Sequence, residues 1–276
     1  MISRWAICSS RPETDRRPAP RKPLARFLLI TALPLFSLSS FAATLTGRVE
    51  LRDSSNPAVR KRLDYSGVVI SLKPVQGVPA LESHLTANHG AELHAAQIPE
   101  AKATMLQKDK TFSPHLLAIP VGASVDFPNL DPIFHNAFSS YNGQMFDVGL
   151  YPPGSSRKVR FTREGVVRVF CNIHASMSAV IVVLGTPYFA TTRQNGSFEI
   201  PAVPSGEYQL SVFHEHATEN TLRALDRRVI VEGENVTLPA LTISEAGFLP
   251  IPHKNKYGQD YPAEPDDHSI YPAVRK

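Results

Sequence analysis

Short runs in which apolar and polar residues alternate recur along most of the chain, separated by glycine, proline and asparagine. A period of two is typical of β-strands that bury one face. The alternation is clear in residues 44–51 and 159–162, and residues 65–74 form a further strand that we expect to enter a sandwich. Short strands with turn signals at these intervals predict an all-β fold of the β-sandwich class.

Residues 75–103 break this pattern, and residues 79–96 are the part that could form a helix. They carry His84, His89 and His94. A five-residue spacing does not align side chains on one helical face. We interpret the segment as a solvated insertion, and a loose copper-capturing patch is the alternative.

The strongest chemical signal lies in residues 166–183, where two β-branched segments flank a seven-residue loop. The loop carries Cys171, His174 and Met177 in the spacing Cys-x2-His-x2-Met. One short turn can direct a thiolate, an imidazole and a thioether at a single point. These soft or borderline ligands suit copper far better than magnesium or calcium.

A trigonal copper site needs a second imidazole from another strand end, and His135 is the candidate. It follows a strand-like segment at residues 123–127, on a separate loop. Cys171 is the only cysteine outside the N-terminal leader, so it has no intrachain disulfide partner. A structural alternative is a buried thiol with a core methionine at a strand turn. The same ligands would also accept zinc.

The first 42 residues predict a secretory signal peptide. A long basic region is followed by an apolar run at residues 27–36 and by the small residues Ser40 and Ala42 at the −3 and −1 positions of the expected cleavage site. The run, which Pro34 interrupts, is too short to span a bilayer comfortably, and an uncleaved membrane anchor is the alternative. Export predicts a periplasmic protein in an oxidising compartment, where a lone thiol needs protection that a bound metal would give.

Removing the leader changes the charge of the chain. Residues 1–42 hold seven of the 29 Lys and Arg and two of the 25 Asp and Glu, so residues 43–276 carry 22 basic and 23 acidic side chains. No basic stripe with interleaved aromatic residues is present. The composition therefore argues against nucleic-acid binding.

Four segments together resemble the cupredoxins, small blue-copper β-sandwich proteins: residues 111–114, 121–129, 131–136 and 167–183. The short Cys-x2-His-x2-Met loop is similar to that of amicyanin. The resemblance implies a Greek-key sandwich at residues 104–186, with its first strand from residues 65–74. The resemblance covers residues 67–185, less than half of the chain, and the protein is also similar to exported methylamine-utilisation and plastocyanin-like proteins.

The resemblance implies a role for each residue of the site. Cys171 supplies a thiolate, His135 and His174 supply imidazoles, and Met177 is a weak axial ligand. Asn136 is implied to tie the two ligand loops together, and such outer contacts orient ligands. One copper ion would cycle between Cu(I) and Cu(II).

A second β module is predicted after the ligand hairpin. The run Asn-Gly-x-Phe followed by Val-Pro-x-Gly-x-Tyr resembles the carboxypeptidase-regulatory-like, transthyretin-like modules. Asn195-Gly196 is a tight hairpin signal. His214 and His216 share one face if their strand continues, which leaves two interpretations, a second metal site or a surface pair.

The C-terminal residues are rich in proline and predict an extended tail, with Tyr257, Tyr261 and Tyr271 as candidates for packing it on the body. The predicted segments are a signal peptide at 1–42, N-terminal strands with the histidine-bearing insertion at 43–103, a cupredoxin core at 104–186, a carboxypeptidase-regulatory-like module at 187–245 and the tail at 246–276.

These features predict an exported mononuclear type 1 copper protein that carries single electrons. Its partner would be a transient redox protein such as a cytochrome c or a dehydrogenase. The alternative is a periplasmic copper-binding, chaperone or adaptor protein without a redox role. No hydrolytic constellation stands out, so we predict that the protein is not an enzyme. A metal-free structural protein is the third interpretation.

Overall fold

The structure is a computed structural model, and it describes residues 42–75, 102–140, 143–250 and 252–262. Its strands in chain order are β1 (Ala42–Arg52), β2 (Val68–Pro74), β3 (Lys102–Thr104), β4 (Leu106–Lys108), β5 (Thr111–Ser113), β6 (Leu116–Pro120), β7 (Ser124–Pro128), β8 (Phe138–Ser139), β9 (Phe146–Asp147), β10 (Ser156–Arg160), β11 (Gly165–Phe170), β12 (Ser178–Leu184), β13 (Phe189–Thr191), β14 (Ser197–Pro204), β15 (Gly206–His214), β16 (Arg227–Val231), β17 (Asn235–Thr237) and β18 (Leu241–Ser244).

Two short helices, α1 (Pro57–Arg62) and α2 (Glu219–Arg223), interrupt the strands. The all-β prediction is confirmed. Among the described residues, no helix is long and apolar enough to cross a membrane. The predicted signal peptide and the histidine-bearing insertion lie outside the described residues, except for Ala42 and the ends of the insertion.

Strands β3 to β12 form one unit, called here the ligand unit. One layer has the strand order β6-β12-β11-β8-β9, and the other has the order β10-β7-β3, with the β4-β5 hairpin beside it. β11 and β12 pair antiparallel from Gly165↔Val183 to Phe170↔Ser178. Phe127 of the second layer and Val169 of the first belong to one buried core. This two-layer arrangement is consistent with a cupredoxin-like sandwich.

Strand β12 is buried on both faces, which explains its continuous apolar sequence. Ile181 and Val183 point into the core of the ligand unit. Val180 and Val182 face the other way and pack against Val69 of β2. The strand therefore belongs to one core and also anchors a neighbouring unit.

Strands β1, β2 and β13 to β18 form the second unit. One sheet has the order β14-β1-β17, with β18 also paired to β1, and the other has the order β13-β2-β15-β16. The two sheets share a core that includes Leu45, Ile70, Ile200 and Leu210. Its assignment to the carboxypeptidase-regulatory-like fold stays a prediction.

The expectation that residues 65–74 supply the first strand of the copper-bearing sandwich is wrong. β2 pairs with β15 over seven positions, from Val68↔His214 to Pro74↔Tyr208, and with β13 on its other edge. β15 is a long strand with alternating buried residues, so it needs a hydrogen-bonded neighbour on each side. A segment far upstream in the sequence provides one of them.

The turn at Asn195-Gly196 forms as predicted, but it does not close a hairpin of two paired strands. β13 before it pairs with β2, and β14 after it pairs with β1. The turn therefore carries the chain from one sheet to the other. A side chain at Gly196 would begin 2.1 Å from the carbonyl oxygen of Val49, at a φ of +79°, so the turn requires glycine.

A polar junction joins the two units near the end of β15. The Nδ1 atom of His115 lies 3.1 Å from the carbonyl oxygen of Ser178, and its Nε2 atom lies 2.6 Å from the carboxylate of Glu215. Both partners only accept hydrogen bonds, so the doubly protonated imidazolium satisfies them best. The bond to Glu215 accordingly raises the pKa of His115.

We expect the substitution His115→Gln to lower stability in a pH-dependent way. The pKa of His115 is raised above 6.5, so its contribution is full below that value and is lost as the pH rises through the raised pKa. Burial would raise the pKa of Glu215, but the hydrogen bond from His115 and nearby positive charges leave it below 4.5. The contribution of the Glu215 carboxylate to the free energy of unfolding is therefore lost as the pH falls through that lowered pKa.

Urea unfolding of both proteins from pH 3 to 9 measures this effect. The difference in free energy of unfolding should be greatest between pH 4.5 and 6.5. Because the His115 side chain is 54% exposed, solvent screening should keep the difference below about 1 kcal/mol. A difference in free energy of unfolding that does not change with pH would show that His115 and Glu215 do not form an ion pair.

Candidate metal centre

The ligand loop is held by the two strands that it joins. β11 and β12 pair up to Phe170↔Ser178, immediately outside the loop. Within the loop, the amide of Cys171 donates to the carbonyl of Met177 at 3.2 Å, and the amide of Met177 donates to the carbonyl of His174 at 3.2 Å. The loop is thus closed on itself, and its chemically active side chains start from a compact backbone.

His135 reaches the same place from a different loop. It exchanges two backbone hydrogen bonds with Tyr151, of 3.2 and 2.9 Å. The hydroxyl of Tyr151 donates to the carbonyl of Phe127 in β7 at 2.9 Å. His135 is therefore fixed to the second layer of the sandwich, although it lies outside a regular strand.

The structure brings three predicted ligands together in a buried site. The Sγ atom of Cys171 lies 3.9 Å from Nδ1 of His135 and 3.6 Å from Nδ1 of His174. The donor atoms of all three residues lie within 4.8 Å of one another. Cys171 and His135 are completely buried, and His174 is 8% exposed. Met177 is also completely buried and belongs to the same core as Cys171.

The carboxylate of Asp131 sets the orientation of His135. Its Oδ2 atom lies 2.7 Å from Nε2 of the histidine. A carboxylate can only accept here, so Nε2 carries the proton and Nδ1 presents its lone pair to the sulfur. A carboxylate on the outer nitrogen of an imidazole is a common way to orient a metal ligand.

Asp131 is itself held as an anion. The amides of Asp109 and Lys110 donate to its two oxygens at 2.6 and 2.9 Å. Burial would raise the pKa of Asp131, but these bonds and the one from His135 outweigh it and leave the pKa below its ordinary value. Burial lowers the pKa of His135 despite the nearby carboxylate, which keeps the imidazole neutral.

Burial makes the thiol of Cys171 hard to ionise. Burial raises its pKa above 9.0. In the absence of a positive ion, the sulfur therefore stays protonated at neutral pH. A metal ion would displace that proton, since the thiolate is the form that binds metals.

Asn136 connects the two ligand loops, as the resemblance implied. Its Oδ1 atom accepts a hydrogen bond of 2.9 Å from the amide of Asn172, next to Cys171. Its Nδ2 atom donates to Asp147 at 2.7 Å. The side chain therefore fixes the distance between the loop of His135 and the loop of Cys171.

The tail, of which residues 246–250 and 252–262 are described, crosses the ligand loop. The hydroxyl of Tyr261 donates to the carbonyl of Cys171 at 2.8 Å, and Nε2 of His253 donates to the carbonyl of Ala175 at 2.8 Å. The ring of His253 stacks on Phe170 with 4.0 Å between centroids. Of the three tyrosines proposed to pack the tail, Tyr261 makes this contact, Tyr257 is 70% exposed and Tyr271 lies outside the described residues.

Sequence reasoning missed Asp131 and Asp147 as supports of the site. Asp131 lies four residues before His135, but the intervening segment is irregular, so spacing alone does not predict the contact.

The described residues contain a second group of metal-binding side chains, formed by His214, His216 and Glu245. The sequence indicated the two histidines, and only the fold adds the carboxylate.

Neither a protein-family model nor a curated protein matches the sequence. Among solved structures, one similar segment belongs to the copper-containing nitrite reductase from Thermus scotoductus SA-01. The two are 26% identical, with a TM-score of 0.29, over 30% of this chain and 22% of the reductase. The match thus spans less than a quarter of the reductase.

Two smaller proteins are matched over most of their length. A purple cupredoxin from Nitrosopumilus maritimus is 28% identical, with a TM-score of 0.28, over 30% of this chain and 99% of that protein. A reduced mutant of amicyanin is 18% identical, with a TM-score of 0.29, over 33% of this chain and 89% of that protein. Each match involves about a third of this chain.

The substitution Asp131→Asn should weaken copper binding about 10- to 100-fold. Asparagine has no negative charge to support the imidazole, and its amide nitrogen cannot accept the bonds that Asp131 accepts. Competition with a chromophoric Cu(I) chelator measures the affinity. Asp126→Asn is a matched control, because the Asp126 side chain forms a 3.9 Å ion pair with Lys158 at the surface of the same unit and is not among the residues of the site. Equal affinities for the two variants would contradict a role for Asp131 in the site.

Proposed function

We propose that this protein is an exported, mononuclear type 1 copper protein that carries single electrons. The observation that supports it most is the buried Cys171 sulfur, which lies 3.9 and 3.6 Å from two imidazole Nδ1 atoms. One thiolate and two imidazoles are the donor set of blue-copper sites, in which a long axial methionine is also common. We assign His135, Cys171 and His174 as ligands and Met177 as the axial ligand.

The residues fit copper in its two oxidation states. Bound there, copper would accept one electron from a donor and release it to an acceptor. The protein's part is to hold the ligands in place, and three features do so: the Asp131 carboxylate behind His135, the Asn136 link between loops and the tail across the ligand loop. Ligands that do not move between states make electron transfer fast.

The site also lies close to a surface that a partner could reach. His174 is 8% exposed, and Ala175 and Ser176 beside it are exposed. Phe134, next to His135 in the sequence, is 40% exposed. We propose that a redox protein such as a cytochrome c or a dehydrogenase docks transiently there, since such encounters use small interfaces. The periplasmic location and the lack of enzymatic activity belong to the same proposal.

A copper-binding or adaptor role is the second candidate. The second unit and the tail favour it, because a pure carrier needs neither a second β unit nor a segment that covers the ligand loop. In this role the second unit, proposed to be carboxypeptidase-regulatory-like, would bind another protein. Rapid electron exchange with a cytochrome c in stopped-flow experiments supports the carrier, and sluggish exchange with tight copper supports the adaptor.

The visible spectrum of the Cu(II)-loaded protein tests the proposal. The wild type should show an intense thiolate-to-copper band, and Cys171→Ser should show none, because a hydroxyl does not replace the thiolate as a charge donor. Met177→Leu serves as the control: it should keep copper and the band while the reduction potential changes, since the axial ligand tunes the metal. A wild type without the band, or a band that survives in Cys171→Ser, would exclude a type 1 site.

A further inference from the structure

A second group of metal-binding side chains lies in the second unit, away from the cysteine. The donor atoms of His214, His216 and Glu245 lie within 4.8 Å of one another. The two imidazole rings are 5.6 Å apart between centroids and nearly perpendicular. Three donors this close can contact one ion after small rotations of their side chains.

The three residues come from two separate parts of the fold. His214 ends β15, and His216 follows it two residues later. Glu245 follows β18, where its amide donates to the carbonyl of Arg52 in β1. The arrangement therefore depends on the packing of the two sheets of this unit, and it is not a property of one flexible loop.

Glu245 is a buried carboxylate that is held in place on both oxygens. Ser54 donates to its Oε2 atom at 2.6 Å, and Oε1 lies 2.9 Å from Nε2 of His214. The side chain is only 4% exposed. A buried negative charge calls for a compensating positive one, and a metal ion would supply it.

His214 is left with one ring nitrogen unsatisfied. Its side chain is 7% exposed, and Nδ1 has no hydrogen-bond partner among the described residues. Buried polar atoms in native proteins nearly always have a partner, and an exception points to a water or an ion.

The group can be reached from solvent. All three residues line a cleft of about 400 Å³ that also includes His115 and Asn56. His216 is partly exposed at this cleft. An ion bound there could complete its coordination with water, as it does in sites with three protein ligands.

We propose that His214, His216 and Glu245 form a second metal site, which takes Zn²⁺ or a similar divalent transition ion. Two imidazoles and a carboxylate are borderline and hard donors that suit Zn²⁺ and Cu²⁺, and they lack the sulfur of the first site. The inference does not depend on copper at Cys171, and its test is arranged to keep the two sites apart.

The test is a calorimetric titration of the full chain with Zn²⁺ in a Cys171→Ser background, which removes the thiolate of the first site. One Zn²⁺ per chain should bind. His214→Gln and His216→Asn should each weaken that binding at least about tenfold. His115 lines the same cleft but is outside the donor set. The His115→Gln variant of the Cys171→Ser protein should therefore bind Zn²⁺ as tightly as the Cys171→Ser protein itself.

Thermal unfolding keeps the test valid if the buried His214 cannot be changed without damage. Zn²⁺ should raise the Tm of the Cys171→Ser protein and leave the Tm of its His216→Asn derivative unchanged, since His216 is partly exposed and its loss spares the core. Absence of Zn²⁺ binding in the Cys171→Ser background, or binding that both histidine substitutions leave intact, would overturn the second site. Neither result would bear on the spectrum of the first.

Discussion

The ionisation of a buried thiol is the constraint on which the proposed site depends. Cys171 has no exposed surface, and its pKa is raised by burial. A thiolate is stable there only if a cation and aligned dipoles replace the water that has been excluded. The imidazoles of His135 and His174, which present Nδ1 atoms to the sulfur, leave room for that cation to be a metal.

The surroundings of the site serve this one purpose. Asp131 fixes the proton of His135 on the far nitrogen, and Asn136 sets the separation of the two loops. The tail adds a bond from Tyr261 to the carbonyl of Cys171 itself. A ligand set held from three directions changes little when an ion binds or changes its charge, and that rigidity is what a one-electron carrier requires.

The ligand loop could be predicted from sequence because its information is local. Cys171, His174 and Met177 lie on one turn between two β-branched strands, and His135 follows a strand of its own. Asp131 and Tyr261 could not be predicted, since an irregular loop and a distant tail bring them to the site. The pairing of β2 with β15 was missed for the same reason: the two strands are separated by about half of the chain, and their pairing leaves no periodic signal.

X-ray absorption at the copper edge of the loaded chain tests the central claim most directly. The account predicts one short copper–sulfur bond and two imidazole nitrogens, with bond lengths that change little between Cu(I) and Cu(II). A copper ion surrounded by nitrogen and oxygen alone, without bonded sulfur, would contradict the account and leave Cys171 as a buried thiol of the core.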